Sequence, residues 1–124
     1  MSDFSRLENI AVTGATGFIG GHLVRALVAG GCRPTLVTRS REHGGSMAEF
    51  GEEIRWATVN LSEGISVREF LRLQKPRLLI HLAGTRGRTD ARGSAAACEE
   101  LNFRVTVDLL RAAMTAGVER IVIL

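Results

Sequence analysis

Tyrosine is absent from this chain of 124 residues, and cysteine is scarce. The two cysteines, Cys32 and Cys98, stand far apart, form no C-x-x-C pair and have no histidine at a ligand spacing. This pattern argues against both a disulfide framework and a zinc site. We interpret both residues as buried or incidental thiols and predict no metal site.

Long apolar runs and a targeting segment are also missing. No apolar stretch approaches the roughly 20 residues that cross a bilayer, and residues 1–6 lack the basic-then-apolar order of a signal peptide. We therefore expect a cytoplasmic protein with no membrane partner.

The net charge of +3 suggests nucleic acid, but the arginines are spread along the chain and aromatic residues make up only 5%. Because basic grooves for nucleic acid also need stacking side chains, we predict no nucleic-acid partner.

Short apolar strands alternate with helical patterns along the chain. Strand patterns lie at 9–13, 34–38, 54–61, 77–83 and 120–124. Helical spacing predicts helices at 18–29, near 67–73 and from about 95 to 116, with at most a short helix around 46–50. This alternation predicts an α/β protein with a parallel sheet covered by helices on both faces.

The clearest motif is the glycine-rich turn Thr13-Gly14-Ala15-Thr16-Gly17-Phe18-Ile19-Gly20, between the first strand and the first helix. A backbone that approaches a pyrophosphate leaves no room for side chains, which suits glycines at positions 14, 17 and 20. The following helix directs its free N–H groups and its positive dipole end at the phosphates. The G-x-x-G-x-x-G spacing is weak alone, but its place in a strand–turn–helix unit favours a dinucleotide cradle over a plain structural turn.

The turn resembles the signature of the extended short-chain dehydrogenases/reductases, the NAD(P)-dependent epimerase/dehydratase family. Three further segments continue the resemblance: His81-Leu82-Ala83-Gly84, the helix that starts Leu101-Asn102-Phe103, and Gly117-Val118-Glu119-Arg120. With the departures described next, the resemblance implies a cofactor-binding set of Gly14, Thr16, Gly17, Phe18, Ile19, Gly20, Arg39, Arg41, Asn60, Leu61, Leu82, Ala83, Gly84, Thr85 and Asn102.

Two departures from the family pattern bear on the cofactor. NAD-preferring members end strand two with an aspartate for the ribose hydroxyls, whereas this chain has Arg39 and Arg41 nearby. Guanidinium groups can pair with a 2′-phosphate, so NADP is favoured over NAD, the alternative being that both arginines are solvated loop charges. Asn60 replaces the aspartate that meets the adenine amino group, and its amide can still accept that hydrogen bond.

The residues that catalyse the family reaction have no counterpart here. The family uses a serine or threonine after strand five and a Tyr-x-x-x-Lys pair on the next helix, while this chain has no tyrosine and a single lysine, Lys75. We therefore predict no catalytic residue in this chain, and whether it is itself an enzyme stays open. His81 reads as a hydrogen-bonded core histidine, and Thr85 as a residue that can line the cofactor or substrate crevice.

We predict a Rossmann-type, doubly wound parallel sheet of strand order 3-2-1-4-5. Residues 1–124 would form an incomplete NAD(P)-binding domain truncated at strand five, because the apolar run 121–124 ends with the chain. The parent would be an oxidoreductase of the epimerase, dehydratase or reductase type, and a homodimer is a further expectation for it. It would transfer hydride to or from a nucleotide-sugar or a small alcohol or carbonyl substrate. The alternative is a non-catalytic NADP-binding sensor.

Overall fold

Short strands and longer helices alternate in the computed structural model, which describes residues 7–39, 41–84 and 95–124. The strands are β1 (Ile10–Thr13), β2 (Thr35–Thr38), β3 (Arg55–Thr58), β4 (Leu78–His81) and β5 (Arg120–Ile123). The helices are α1 (Phe18–Ala29), α2 (Gly64–Gln74) and α3 (Ala95–Ala116), and 3-10 turns occupy Arg41–Glu53. Within these ranges, no helix is both long enough and apolar enough to cross a bilayer.

The strands form one sheet in the order β3-β2-β1-β4-β5, and each neighbouring pair is parallel. Val12 at the centre pairs with Leu36 of β2 on one side and Ile80 of β4 on the other. The predicted α/β sheet and its strand order are confirmed. The order reverses on either side of β1, so the loops after β1 and β4 diverge and leave a crevice at the carboxyl ends of the strands.

Each face of the sheet is covered by a separate apolar layer. On one face, α1 and the 3-10 turns bury Val24, Leu27 and Met47 against the strands. On the other face, α2 and α3 pack with buried residues that include Leu71 and Leu109. Burial on both faces explains why the central strands β1, β2 and β4 read as apolar runs rather than as alternating patterns.

Helix ends follow local chemistry. The helix α1 ends at Ala29 with Gly30 as its C-cap, as the glycine pair predicts, and Gly31 takes a left-handed φ of 93°. The helix α2 ends at Gln74, and its C-cap Lys75 adopts the left-handed region with a φ of 46°. The side chain of Asn9 donates to the carbonyls of Gln74 and Lys75, at 2.8 and 2.6 Å, and so ties the start of β1 to the end of α2.

The segment before β3 differs from the prediction of at most a short helix around 46–50. The 3-10 turns there run over Arg41–Glu53. Met47 is 2% exposed, and its methyl carbon lies 3.4 Å from where a Cβ on Gly21 would sit. Burial of the Met47 side chain against α1 thus anchors the segment. The segment is otherwise polar, contains glycines and has only a weak helical spacing of apolar residues.

Candidate functional site

The glycine turn after β1 is held by the close approach of backbone segments. Gly14 has a φ of 71°, and a Cβ at this position would lie 2.6 Å from the Ala83 nitrogen. A Cβ on Gly20 would overlap the Gly14 oxygen and Ala15. These two glycines are therefore required by the protein's own packing, because a side chain at either position would push the turn away from β4 or from α1.

Gly17 is different, because a Cβ there would meet only the Gly14 oxygen among the described atoms, at 3.4 Å. That distance is an ordinary van der Waals contact. Gly17 is also the N-cap of α1, with an extended φ of −79° that any residue can adopt. Neither packing nor backbone conformation within the described residues therefore explains why position 17 is a glycine.

The start of α1 is an uncompensated positive helix end. No acidic residue lies in its first turn, and its N-cap residue, Gly17, provides no side-chain cap hydrogen bond. The amide of Gly21 makes the first helical bond, to the Gly17 oxygen at 2.8 Å. The amides of residues 18–20 precede that bond and have no partner within the helix, which suits an anion.

A cavity of about 410 Å³ opens at the carboxyl ends of the strands, beside this turn. Its size lies within the range of small-molecule sites. Its walls come from the turn after β1, the ends of β2 and β3, the segment after β4, and α3. The lining residues are Gly14, Thr16, Val37, Thr38, Arg39, Val59, Asn60, Leu61, Ser62, Ala83, Gly84, Leu101, Asn102 and Val105. We call this cavity the switch-point crevice.

Eight residues of the predicted cofactor set line the switch-point crevice: Gly14, Thr16, Arg39, Asn60, Leu61, Ala83, Gly84 and Asn102. Five others do not line it: Gly17, Phe18, Ile19, Gly20 and Leu82. Phe18 and Ile19 are instead 76% and 58% exposed at the start of α1. Thr85 and the side chain of Arg41 lie outside the described residues. The structure thus gathers five separate segments of the predicted set around one cavity.

Six lining residues were not predicted, namely Val37, Thr38, Val59, Ser62, Leu101 and Val105. The rule that ligands sit at the carboxyl ends of parallel strands would have found Thr38 and Val59. Helical spacing from Asn102 would have found Val105, and Leu101 lies one turn before Val105.

Asn60 is engaged in a local turn at the floor of the crevice. Its side-chain oxygen accepts from the Ser62 amide at 3.0 Å, and its amide nitrogen donates to Glu63 Oε1 at 3.2 Å. The Asn60 backbone amide donates to Ser66 Oγ at 3.1 Å. These bonds order the approach to α2, whose N-cap Glu63 has no side-chain cap bond. A carbonyl oxygen has two lone pairs, so the Asn60 oxygen retains capacity for a second donor.

His81 is a buried core histidine, as predicted. It is 3% exposed, and its ring nitrogens Nδ1 and Nε2 lie 2.7 Å from Thr13 Oγ1 and 3.1 Å from Thr106 Oγ1. Burial lowers the pKa of His81 below its ordinary value, because the charged ring would lose its hydration. The neutral ring therefore belongs to the folded protein at pH 7.

A larger groove of about 720 Å³ runs between α2 and α3. Leu71 and Ala112 contribute apolar surface to it, while Arg68, Lys75 and Arg111 supply charge. It lies along the helix seam, and none of the turn glycines lines it. Within the described residues, no group of three or more His, Cys, Asp or Glu side chains is arranged to hold a metal.

The sheet order and the glycine turn at its switch point define a Rossmann-type α/β domain. Comparison with known proteins gives the family: residues 10–124 match the model of the NAD dependent epimerase/dehydratase family. The chain belongs to this family.

Individual proteins and solved structures resemble the chain over most of its length. An uncharacterised protein of Sinorhizobium fredii is 31% identical over 123 residues, covering 93% of this chain and 33% of the relative. The UDP-Glc/GlcNAc 4-epimerase of Campylobacter jejuni superposes with a TM-score of 0.79 at 17% identity, over 94% of this chain and 36% of that one. The UDP-glucose 4-epimerase of Thermus thermophilus, solved with NAD, gives 0.72 at 25% identity, over 90% and 35%. The chain thus spans about a third of the length of these relatives.

Proposed function

We propose that this chain binds a nicotinamide dinucleotide in the switch-point crevice, with the pyrophosphate at the glycine turn. The observation that carries the proposal is the open space beside Gly17. No packing within the described residues requires a glycine at this position, so the space suits a ligand. The amides of residues 18–20, which have no partner within the helix, supply donors and a positive dipole end beside it. Family membership and the NAD complex of the Thermus thermophilus relative support the same ligand class.

The residues that would hold the dinucleotide follow from their places around the crevice. The turn and the first amides of α1 would bind the pyrophosphate, Asn60 and Leu61 the adenine, and Ala83, Gly84 and Asn102 the remaining nucleoside surface. When bound, the nicotinamide ring supplies or takes up a hydride. The chain's own contribution is to bind and orient that group.

NADP rather than NAD is the dinucleotide we favour. Arg39 follows β2 directly, is exposed and lines the crevice. A guanidinium at this point pairs with a 2′-phosphate, whereas a carboxylate would repel it. Thr16 and Thr38, which also line the crevice, are uncharged, and the adjoining α1 terminus carries no acidic side chain in its first turn.

Titration calorimetry with NADP and NAD tests the proposal, using two matched variants on α1. Gly17→Ala adds a methyl group on the open side of the turn and should weaken binding at least about tenfold, since ligand contacts there tolerate no side chain. Gly21→Ala adds the same group on the buried side, against Met47 and away from the crevice, and should leave affinity unchanged. Equal affinity of Gly17→Ala and wild type would contradict binding at the turn.

For the whole protein we propose an oxidoreductase of the epimerase, dehydratase or reductase type. Its substrate would be a nucleotide-sugar or a small alcohol or carbonyl compound, and residues 1–124 would serve as its cofactor-binding part. The UDP-sugar epimerases of similar fold support the nucleotide-sugar option. A non-catalytic NADP sensor is the alternative that the absence of tyrosine from this sequence favours. Conversion of added sugar nucleotides or alcohols to product by the whole protein would separate the two, since a sensor converts neither.

A further inference from the structure

Three side chains form a chain of hydrogen bonds behind the switch-point crevice, buried at Thr13 and His81 and half-buried at Thr106. Thr13, the last residue of β1, faces His81, the last residue of β4, and His81 in turn contacts Thr106 on α3. Thr13 is 1% exposed and His81 3%. None of the three side chains lines the crevice. Thr13 and His81 end the strands that lead into lining segments, and Thr106 lies on α3, which contributes lining residues of its own.

The Thr13 hydroxyl has its acceptor capacity filled from the backbone. The amides of Leu82 and Ala83 both donate to Thr13 Oγ1, each at 3.1 Å. A hydroxyl oxygen has two lone pairs and one proton. With both lone pairs occupied, the Thr13 hydroxyl proton must go to His81 Nδ1, 2.7 Å away.

This arrangement assigns the tautomer of His81. Because Nδ1 accepts, the ring proton of the neutral imidazole is on Nε2, which donates to Thr106 Oγ1 at 3.1 Å. Leu82 and Ala83 are thereby tied to β1 at the point where they meet Gly14, whose missing side chain permits the same close approach. Only the neutral ring satisfies all of these bonds.

A proton on Nδ1 would break this arrangement at one defined place. The charged ring has two donors, so Thr13 Oγ1 would have to accept from Nδ1 and release one backbone amide. The Leu82 amide has a second acceptor, the Thr13 carbonyl at 3.1 Å. The Ala83 amide has Thr13 Oγ1 as its partner, and Ala83 lines the crevice. Protonation of His81 therefore acts on the crevice through Ala83.

We propose that His81 is a positioning residue for the dinucleotide: its neutral ring, through Thr13, fixes the Leu82–Ala83 segment against the glycine turn, and its protonation weakens dinucleotide binding. This inference rests on the proposed function of the crevice. The charged residues on the elements packed around His81 are Glu99, Glu100, Arg104, Asp108 and Arg111 on α3 and Arg120 on β5, all exposed. The neighbour of His81 on β5 is Ile123, and its hydrogen-bond partners are uncharged.

The variant His81→Asn separates positioning from charge. An asparagine oxygen can take the place of Nδ1 as the acceptor for Thr13, but it cannot be protonated near neutral pH. His81→Leu replaces the ring with an apolar side chain of similar size and removes the acceptor for the Thr13 hydroxyl. At pH 7.5 we expect His81→Asn to bind the preferred dinucleotide within about threefold of wild type, and His81→Leu to bind about tenfold more weakly, the usual consequence of one unsatisfied buried donor.

The pH dependence is measured by calorimetry between pH 7.5 and 5 in wild type and His81→Asn. Ionisation of the dinucleotide is common to both proteins and cancels in the comparison. Wild-type affinity should fall about tenfold more than that of the variant as His81 takes up its proton. His22→Gln is the control for a histidine that makes no contact with the His81 hydrogen bonds: His22 is exposed on α1, does not line the crevice and packs edge-on against Phe18. This variant should retain the difference in pH dependence that His81→Asn removes.

A second readout needs no ligand. In a nuclear magnetic resonance titration, the Ala83 amide of wild type should shift with the same midpoint as the His81 ring, and His81→Asn should abolish that shift. An Ala83 amide that ignores His81 would overturn the positioning role, as would equal pH dependence of binding in wild type and His81→Asn. Wild-type protein that binds neither dinucleotide at pH 7.5 would overturn the proposed function itself, and the positioning role with it.

Discussion

At the scale of single residues, the glycines of the turn serve two separate purposes. Gly14 and Gly20 are required by backbone contacts within the protein, while Gly17 is not. We predict that Gly20→Ala lowers the free energy of unfolding by at least about 2 kcal/mol, since its new methyl overlaps rigid backbone. Gly17→Ala should cost at most about 1 kcal/mol, the loss of a favourable N-cap residue. Urea denaturation of both variants checks the difference, and equal losses would contradict it.

Arg39 is the residue on which cofactor preference should depend. Arg39→Ala should weaken NADP binding about fivefold, the modest value expected for an exposed charge pair, and should leave NAD binding unchanged. Arg33→Ala is a matched control, because Arg33 is also exposed but donates to the Glu52 carbonyl at 2.6 Å, away from the crevice. Calorimetry with both dinucleotides checks this prediction. Equal weakening of NAD and NADP by Arg39→Ala would assign Arg39 a general electrostatic role.

His81 also links stability to pH. Its pKa in the folded protein is below 6.5, the ordinary value that applies to the unfolded chain. As pH falls below 6.5, the unfolded chain takes up a proton that the folded protein does not, so the free energy of unfolding falls until the folded-state pKa is reached. We predict that wild type loses more stability than His81→Asn between pH 7.5 and 5.5, by up to about 1.4 kcal/mol per pH unit. Denaturant unfolding at the two pH values measures it, and parallel losses would refute it.

At the scale of elements, the end of α2 offers a stabilising change. Lys75 adopts a left-handed conformation that costs a residue with a side chain about 1 kcal/mol, while glycine adopts it freely. Lys75→Gly should therefore raise the free energy of unfolding by about 0.5 kcal/mol, after the greater flexibility of glycine in the unfolded chain is counted.

Asn9→Ala should lower the free energy of unfolding by about 1 kcal/mol, because two carbonyls at the end of α2 lose their donor. Thermal melting distinguishes the two signs, and a destabilised Lys75→Gly would contradict the first.

Elements with their own periodicity were predictable from the sequence, and those shaped by tertiary contacts were not. The bounds of α1 match the prediction because its apolar spacing and the Gly30–Gly31 stop are both local. The paired part of β3 is shorter than predicted, because Ile54 and Val59 are buried just outside the strand and read as part of it. Met47, which anchors the 3-10 turns against α1, carries no local signal at all.

The candidate site was predictable to the extent that fold topology gathers chain segments. Gly14, Asn60, Ala83 and Asn102 are far apart in sequence and meet because β1, β3 and β4 end at one edge of the sheet and α3 passes beside it. The hydrogen-bond chain through His81 was not predictable, since it depends on which strand ends are neighbours and on side-chain direction. The sequence indicated that His81 is a hydrogen-bonded core histidine in an apolar strand, but not which side chains are its partners.

At the scale of the whole molecule, the chain matches about a third of the length of its relatives. We propose that the natural gene product is longer than residues 1–124 and carries a Tyr-x-x-x-Lys pair beyond them. Its intact mass should then exceed about twice 13.4 kDa. A natural product near 13.4 kDa would contradict this proposal and would favour the NADP sensor.

The most direct test of the central claim is an amide chemical-shift map of the protein titrated with NADP. If the switch-point crevice holds the dinucleotide, shifts should concentrate at Gly14–Gly20, Arg39, Asn60–Leu61 and Ala83–Gly84. Shifts confined to the groove between α2 and α3, at Val67, Leu71 and Ala112, or no shifts at saturating NADP and NAD, would contradict a dinucleotide site at the glycine turn.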